Sequence, residues 1–355
     1  WFNRRPIGGD RMALTLHMLA TDRPGDLGLQ QCGTGAQSVV YLLPKTLRVN
    51  GRANLVYKRY RPKAPSFRGR EAATKVALEQ LIGLHHILDL ASDGKRIRTA
   101  LERHVAWPLA VVSRGNAALG VVEPKVDAAF LGAPCDDLTP AVPLERFIRP
   151  DGERALLLGQ GLHPLDDDGR HRIALQLVAT ASLLHRIGLV IGDISLRNVM
   201  VYVPEHDQRN QASAAFIDAD ACRPAIGGCG LPQGSTPAFD PPESRFWRRK
   251  ADAVPDGPKR RYALAMAGLQ TQPSDVHKTA LLILRMCSCE EEQPTGVRRI
   301  RSATQHNTIV DLFGNAGLTA LTDALADTPA DRPSMAELYR ALHGGDPTQS
   351  HHETR

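Results

Sequence analysis

The chain has 355 residues, enough to bury one full hydrophobic core or two modest ones. Hydrophobic residues at 42% and charged residues at 23% exclude disorder as the default state, and no run approaches the ~18 apolar residues that a membrane-spanning helix needs. The formal charge of +6 and the pI near 9.1 suit an acidic or phosphate-bearing partner, although an arginine-rich composition produces the same balance without one.

Residues 1–26 are rich in Arg, Gly and Pro and read as an irregular lead-in. The short stretch 12–20 contains His17 and makes a poor signal peptide. Residues 38–43 are apolar and β-branched, Asn50-Gly51 is a hairpin signal, and 54–60 alternates again. A helix is expected over 71–90, where Leu78, Leu81, Leu84 and Leu88 recur every three or four positions. Two more strands, 108–112 and 118–122, are joined across Arg114-Gly115-Asn116. Residues 27–123 therefore read as a sheet-plus-helix lobe.

The composition shifts after Glu123. Pro140, Pro143, Pro150 and Pro164 interrupt a polar region, and a long helix is expected over 171–187. A turn-rich stretch, 222–242, precedes a buried helix at 275–286 and a helix pair at 309–325 and 334–342. Residues 124–345 thus form a mostly helical lobe, and 346–355 a polar tail. The expected fold class is α+β: a β-rich first lobe with one main helix, then a helical second lobe. No internal repeat is visible.

Six cysteines are scattered without a C-x-x-C pair, so neither a zinc site nor a redox motif is indicated. Buried thiols in a reducing compartment are the simpler account, which makes the expected location cytoplasmic.

Gly33 and Gly35 lie in a turn between two apolar segments, where backbone N–H groups can approach phosphate oxygens. Two glycines in a hairpin are more often only a turn. No Gly-Lys-Ser/Thr follows and no helix opens after them, so neither a P-loop nor a dinucleotide-binding turn fits. Lys58 stands in the apolar strand Val56-Tyr57-Lys58 and needs anionic partners if it is buried. Phosphates and a helix carboxylate would supply them, Glu79 first and Glu71 as the fallback. The plainer reading is a lysine at a strand edge, reaching water.

The segment from Leu184 to Met200 carries the strongest signal. A helix ends near Gly188, a short apolar strand follows, and a loop opens on Asp193 and closes on Asn198. Phosphoryl transfer needs a carboxylate to orient and accept the proton of an attacking hydroxyl, and a nearby oxygen ligand for Mg²⁺. A capping Asp and a turn Asn would explain either residue singly, but not the apolar run 199–203 directly after them. Phe216-Ile217-Asp218-Ala219-Asp220 then ends another apolar run on two acids. Asp218 is the expected metal ligand, with Asp220 as the alternative.

Taken in order, these motifs resemble the protein kinase superfamily, in particular bacterial eukaryotic-like Ser/Thr kinases, over residues 27–342. Gly33, Gly35 and Val40 resemble the glycine-rich loop, with Ser38 in place of its third glycine. Lys58 and Glu79 resemble the strand lysine and helix glutamate, and Val122 and Glu123 fall where the nucleotide-contacting hinge begins. Asp193, Asn198 and Asp218 match the catalytic and metal-binding positions. Pro241-Pro242-Glu243 resembles the element closing the activation segment, Asp275 the acid that opens the buried helix, and Arg332 the arginine paired with Glu243. The resemblance implies ATP and Mg²⁺ as cofactors and a protein substrate.

Three departures accompany it. Ile191-Gly192 replaces the His-Arg before the catalytic acid, which implies activity independent of activation-loop phosphorylation. Ser195 replaces a lysine, leaving Arg197 as a displaced source of charge toward the γ-phosphate. Ala219-Asp220 replaces Phe-Gly. Two alternatives stay open: a nucleotide-binding pseudokinase scaffold, and a small-molecule kinase of the aminoglycoside or choline type. Glu243 with Arg332 argues against the latter. The basic stretch 245–261 with Trp247 could contact nucleic acid or help dock an acidic protein substrate, but a solvated insertion is the favoured reading. Trp107 reads as packing, and His85-His86 lacks further ligands at metal spacing. Oligomeric state is not legible.

Overall fold

The computed structural model describes residue 19 and residues 27–64, 67–88, 92–134, 139–148, 162–204, 212–225, 233–289 and 294–344. The lead-in apart from Leu19, the polar tail, Cys135, Cys229 and the side chains of His85 and His86 lie outside the described residues. The chain is mixed α+β and divides into two compact units. Residues 99–105 belong to the second unit rather than to the first, as do residues from Val126 onward in the described chain.

In the first unit, alternating apolar residues build one antiparallel sheet from β1 (Gln31–Thr34), β2 (Ser38–Leu42), β3 (Leu55–Tyr60), β4 (Ala110–Arg114) and β5 (Ala117–Pro124). The strand order is β1-β2-β3-β5-β4. Asn50 (φ 50°) and Gly51 (φ 77°) both take left-handed conformations, and Val49 and Arg52 exchange backbone bonds of 3.0 Å across them. This is the hairpin their sequence signals. One sheet face buries Leu55, Tyr57, Val112 and Val122 with Leu43 and Val49. On the other, Ala118 and Val121 pack on Phe67 and on Leu78 of α1 (Glu71–Ile87). At Gly120 a Cβ would meet the Lys58 carbonyl oxygen at 2.3 Å, so glycine there permits the close approach of β5 to β3.

α2 (Gly94–His104) was not expected. It is highly charged and its periodicity is carried only by Ile97 and Leu101, followed by Val105, all buried.

In the second unit α3 (Asp167–Arg186) starts four residues before the expected position because Asp166 caps it, accepting from Gly169 N at 2.9 Å. α6 (Gln272–Cys287) opens with a Thr271/Ser274 capping box, and every residue from Ser274 to Cys287 is buried. α7 (Ala303–Ala324) begins ahead of its expected start at a Ser302/Gln305 box and kinks at Gly314 (φ 66°). α8 (Met335–His343) begins at a Ser334/Glu337 box. α3 packs against α6, α7 and α8. Two small antiparallel sheets complete this unit: β6 (Val142–Pro143), β8 (Val199–Tyr202) and β9 (Ser213–Phe216), and β7 (Leu189–Val190) with β10 (Arg223–Pro224).

The basic stretch read as an insertion forms two helices, α4 (Pro242–Asp252) and α5 (Pro258–Ala267), each with proline in its first turn. Trp247 and Tyr262 meet edge to face, with centroids 5.7 Å apart. Trp107 is buried at 1% exposure, as its packing role requires. Cys222 and Cys287 are free thiols whose pKa burial pushes up to about 12, so both are inert near neutral pH. Among the described residues no helix is long and apolar enough to cross a membrane.

Candidate active site

A carboxylate on a helix buried on all sides must find hydrogen-bond donors. Asp275, 0% exposed at the start of α6, finds them in the loop before Asp193. Its Oδ2 accepts from Ile191 N at 2.7 Å and lies 3.1 Å from His185 Nε2; its Oδ1 accepts from Gly192 N at 2.9 Å. The buried helix therefore fixes the backbone from which Asp193 projects.

One turn along α6, Lys278 is also fully buried. Its Nζ donates to Gly192 O at 2.6 Å, Gln270 Oε1 at 2.7 Å and Ser235 Oγ at 3.4 Å. Burial lowers its pKa, and the carboxylates of Asp275, Asp193, Asp240 and Glu243 oppose that shift. Gly192 has φ 82°, a conformation that favours glycine. The Gln233 side chain fills the space beside it, its Nε2 donating to Val190 O at 3.1 Å and Ala221 O at 3.0 Å. Where the resemblance would place an arginine, a Cβ would come within 2.6 Å of Gln233 Nε2, so that side chain would have to give up its place.

Asp193 is half-buried, and its Oδ1 accepts from Thr236 Oγ1 at 3.0 Å. Among the described residues no donor bonds its Oδ2. Asn198 Nδ2 donates to Asp193 O at 2.8 Å, which closes the loop and leaves Asn198 Oδ1 without a hydrogen bond among the described residues. Val199 pairs with Phe216 across β8 and β9, and Ile217 N donates to Asn198 O at 2.9 Å. The sheet thereby brings Asn198 beside Asp218. Asp218 is left-handed (φ 62°, ψ 30°) and half-buried, whereas Asp220 is buried at 6% exposure. A non-glycine residue held in that conformation is strained. Among the described residues no three His, Cys, Asp or Glu side chains are placed to hold a metal ion. A Mg²⁺ held by Asn198 and one aspartate would take its other ligands from water and phosphate.

Thr236 belongs to a segment tied down from several sides. The Ser235 hydroxyl donates to Asp240 Oδ1, and Arg248 Nη2 lies 2.7 Å from Asp240 Oδ2. Arg285 Nη2 donates to Ala238 O at 2.8 Å, its guanidinium stacked over Phe239. Glu243 is gripped by both terminal nitrogens of Arg332, at 2.9 and 2.7 Å, the pairing expected for these two residues. Ser195 is buried at 2% exposure. Arg197 is turned to Glu145, its Nε donating to Oε2 at 2.9 Å on an exposed face.

In the first unit Lys58 is buried at 6% exposure, flanked across the sheet by Val40 and Val121. Glu123 shares that face, two residues beyond Val121 along β5, and is buried at 5%; Val122 between them faces the opposite core. The expected pairing of Lys58 with Glu79 is not formed. Glu79 is 55% exposed and lies 3.8 Å from Lys75, one turn back on the outer face of α1. Glu71, the fallback, accepts instead from Gly69 N at 3.0 Å at the helix start. In the turn, Gly33 pairs with Val40 and Gly35 N donates to Ser38 O at 2.9 Å. Neither glycine takes a positive φ. Arg61 pins the turn, donating to Gly35 O at 3.0 Å and Thr34 Oγ1 at 2.8 Å.

Thr236, Gln233, Ser235 and Lys278 went unread in the sequence. Lys278 had a usable signal, since a lysine within the apolar run of α6 demands partners by the argument applied to Lys58. Compared with protein-family models and with curated proteins, the chain matches none.

Proposed function

We propose that the protein is an ATP- and Mg²⁺-dependent phosphotransferase of the protein kinase type, acting on Ser or Thr hydroxyls of a protein. The carrying observation is the Asp193 carboxylate. One oxygen is engaged by Thr236 at 3.0 Å, and the other, which no donor among the described residues bonds, can meet a substrate hydroxyl. A carboxylate oriented in this way can align the hydroxyl and take its proton as phosphoryl transfer proceeds. The loop carrying it is fixed by Asp275 and Lys278, so its position is set before substrate arrives.

Asn198 Oδ1 and Asp218 are the residues that would hold Mg²⁺, which neutralises phosphate charge when bound. The strained backbone of Asp218 favours it over Asp220. Lys58 is the residue for the α- and β-phosphates. With Glu79 turned to Lys75, the carboxylate on the Lys58 face of the sheet is Glu123. The Glu243–Arg332 pair supports a protein-kinase-like fold, with a β-rich and a helical lobe, over the small-molecule kinase reading. With Gln233 closing the space at Gly192, the proposed activity needs no phosphorylated activation loop.

The test is transfer of radiolabel from γ-labelled ATP to casein and histone, with Mg²⁺ present or chelated, by the native protein and Asp218→Ala. Mg²⁺-dependent labelling that Asp218→Ala loses supports the proposal. A Mg²⁺-dependent thermal shift with ATP but no labelling would leave a nucleotide-binding scaffold instead.

A further inference from the structure

The second unit buries its large hydrophobic side chains almost everywhere. Among the described residues its exceptions are Phe246, Tyr262, Leu264 and Leu269, at 44, 59, 46 and 53% exposure. All four lie on, or directly after, the α4–α5 hairpin. Residues 245–261, which run from α4 into α5, carry seven arginines and lysines against two aspartates. Between its helices is a recess of about 430 Å³ with apolar walls from Trp247, Pro258 and Tyr262, and with Lys250 and Lys259 in its lining. A grouped apolar exception on an otherwise well-buried unit marks a contact surface.

We propose that this hairpin docks an acidic protein segment, which places one aromatic or large aliphatic side chain in the recess and its carboxylates on the surrounding cations. The recess has ample room for a large side chain, and the charge around it selects an acidic neighbour. Nucleic acid fits less well. Lys250 Nζ sits 4.6 Å from the Phe246 ring centroid and 5.2 Å from that of Trp247, and Tyr262 meets Trp247 edge to face, so a cation and a neighbouring ring already claim part of the aromatic surface on which bases would stack. An anionic membrane surface calls for the exposed apolar groups on one projecting ridge, and here Tyr262 lines the recess while Phe246 lines a separate hollow with Glu243 and Asp327.

The hairpin is linked to the Asp193 loop by a chain of contacts. Arg248 of α4 pairs with Asp240, Asp240 accepts from Ser235, and Lys278 joins Ser235 to Gly192. Docking itself does not rest on phosphotransfer, so the two can fail separately.

The experiment is fluorescence anisotropy of the full chain with a fluorescein-labelled peptide of glutamates around a central phenylalanine. Its Phe→Ala form, labelled oligo-dT and vesicles containing phosphatidylserine are the comparisons. Saturable, salt-weakened binding is expected, roughly tenfold weaker for the Lys250→Glu/Lys259→Glu variant, for Tyr262→Ser and for the Phe→Ala peptide. Thermal melts check that the variants fold, and Lys259→Glu alone, at an exposed position, replaces the double variant if that melts early. Absence of saturable binding, equal binding by the charge-reversed protein, or preference for oligo-dT or vesicles overturns the proposal.

Discussion

Lys278 Nζ donates to the carbonyl oxygen of Gly192 at 2.6 Å, and the same ammonium reaches Ser235 Oγ at 3.4 Å. Gly192 precedes Asp193, and Ser235 precedes the Thr236 that bonds Asp193. A single buried cation thus holds both neighbours of the candidate catalytic carboxylate. Lys278→Met should lower kcat about a hundredfold, the scale of an ångström's misplacement, with little change in KM for ATP. It should also cost about 2 kcal/mol of stability through the oxygens left unbonded. Steady-state kinetics beside urea titrations check both, and an unchanged kcat would remove Lys278 from the account.

Gly192 is held by its conformation and by its neighbour. A Cβ there would come within 2.6 Å of Gln233 Nε2, on a backbone already at φ 82°. Gly192→Ala should therefore cost about 1–3 kcal/mol. Gly192→Arg, which restores the residue of the resemblance, should cost more and raise no activity. Thermal melts of the two variants decide it. A stable, more active arginine variant would show that the absent charge, not the packing, governs this position.

Arg332 and Glu243 join two distant parts of the chain through a two-point contact, with the arginine side chain 0% and the glutamate 26% exposed. Removing one partner strands the other, so Arg332→Ala should cost about 3 kcal/mol. The Arg332→Ala/Glu243→Ala double variant should cost less than the two single costs added. A double-mutant cycle in urea measures this, and simple additivity would deny the pair its role.

His277, buried within α6, gives the fold a dependence on pH. Burial, helped by Arg332, Arg245, Arg298 and Lys278, takes its pKa from 6.5 down to about 3. The unfolded chain therefore gains a proton below about pH 6.5 that the folded chain refuses until about pH 3. The sign follows: stability falls as pH drops through that window and is untouched above it. Between pH 7 and pH 5 the loss should be about 2 kcal/mol. His277→Leu should remove it, and urea midpoints at the two pH values measure the difference. Parallel losses in both proteins would mean that other groups set the acid limb.

Local chemistry made much of this fold readable. Asn50-Gly51 dictates a turn whose central residues are left-handed, and the apolar run in α6 dictates a buried helix. Asp193 and Asn198 could be read as the two ends of one loop because apolar runs flank them on both sides, and the Asn198 amide does close that loop on the Asp193 carbonyl. Glu79 was misread because helix spacing places it on α1 without saying which face meets the sheet; it lies outward, on Lys75. Thr236 and Gln233 were missed because their contacts with Asp193 and Val190 are each made across 43 residues of sequence, which no local pattern records. The α4–α5 hairpin was missed because its charge density concealed the prolines that start both helices.

The most direct test is Asp193→Asn, which keeps the shape of the side chain and removes its ability to take a proton. In one preparation, ATP affinity by titration and phosphoryl transfer to a protein substrate should separate. The account predicts a Kd for ATP within about twofold of the native protein and transfer lower by about 10³-fold. Transfer at the native rate by a correctly folded Asp193→Asn protein would contradict it.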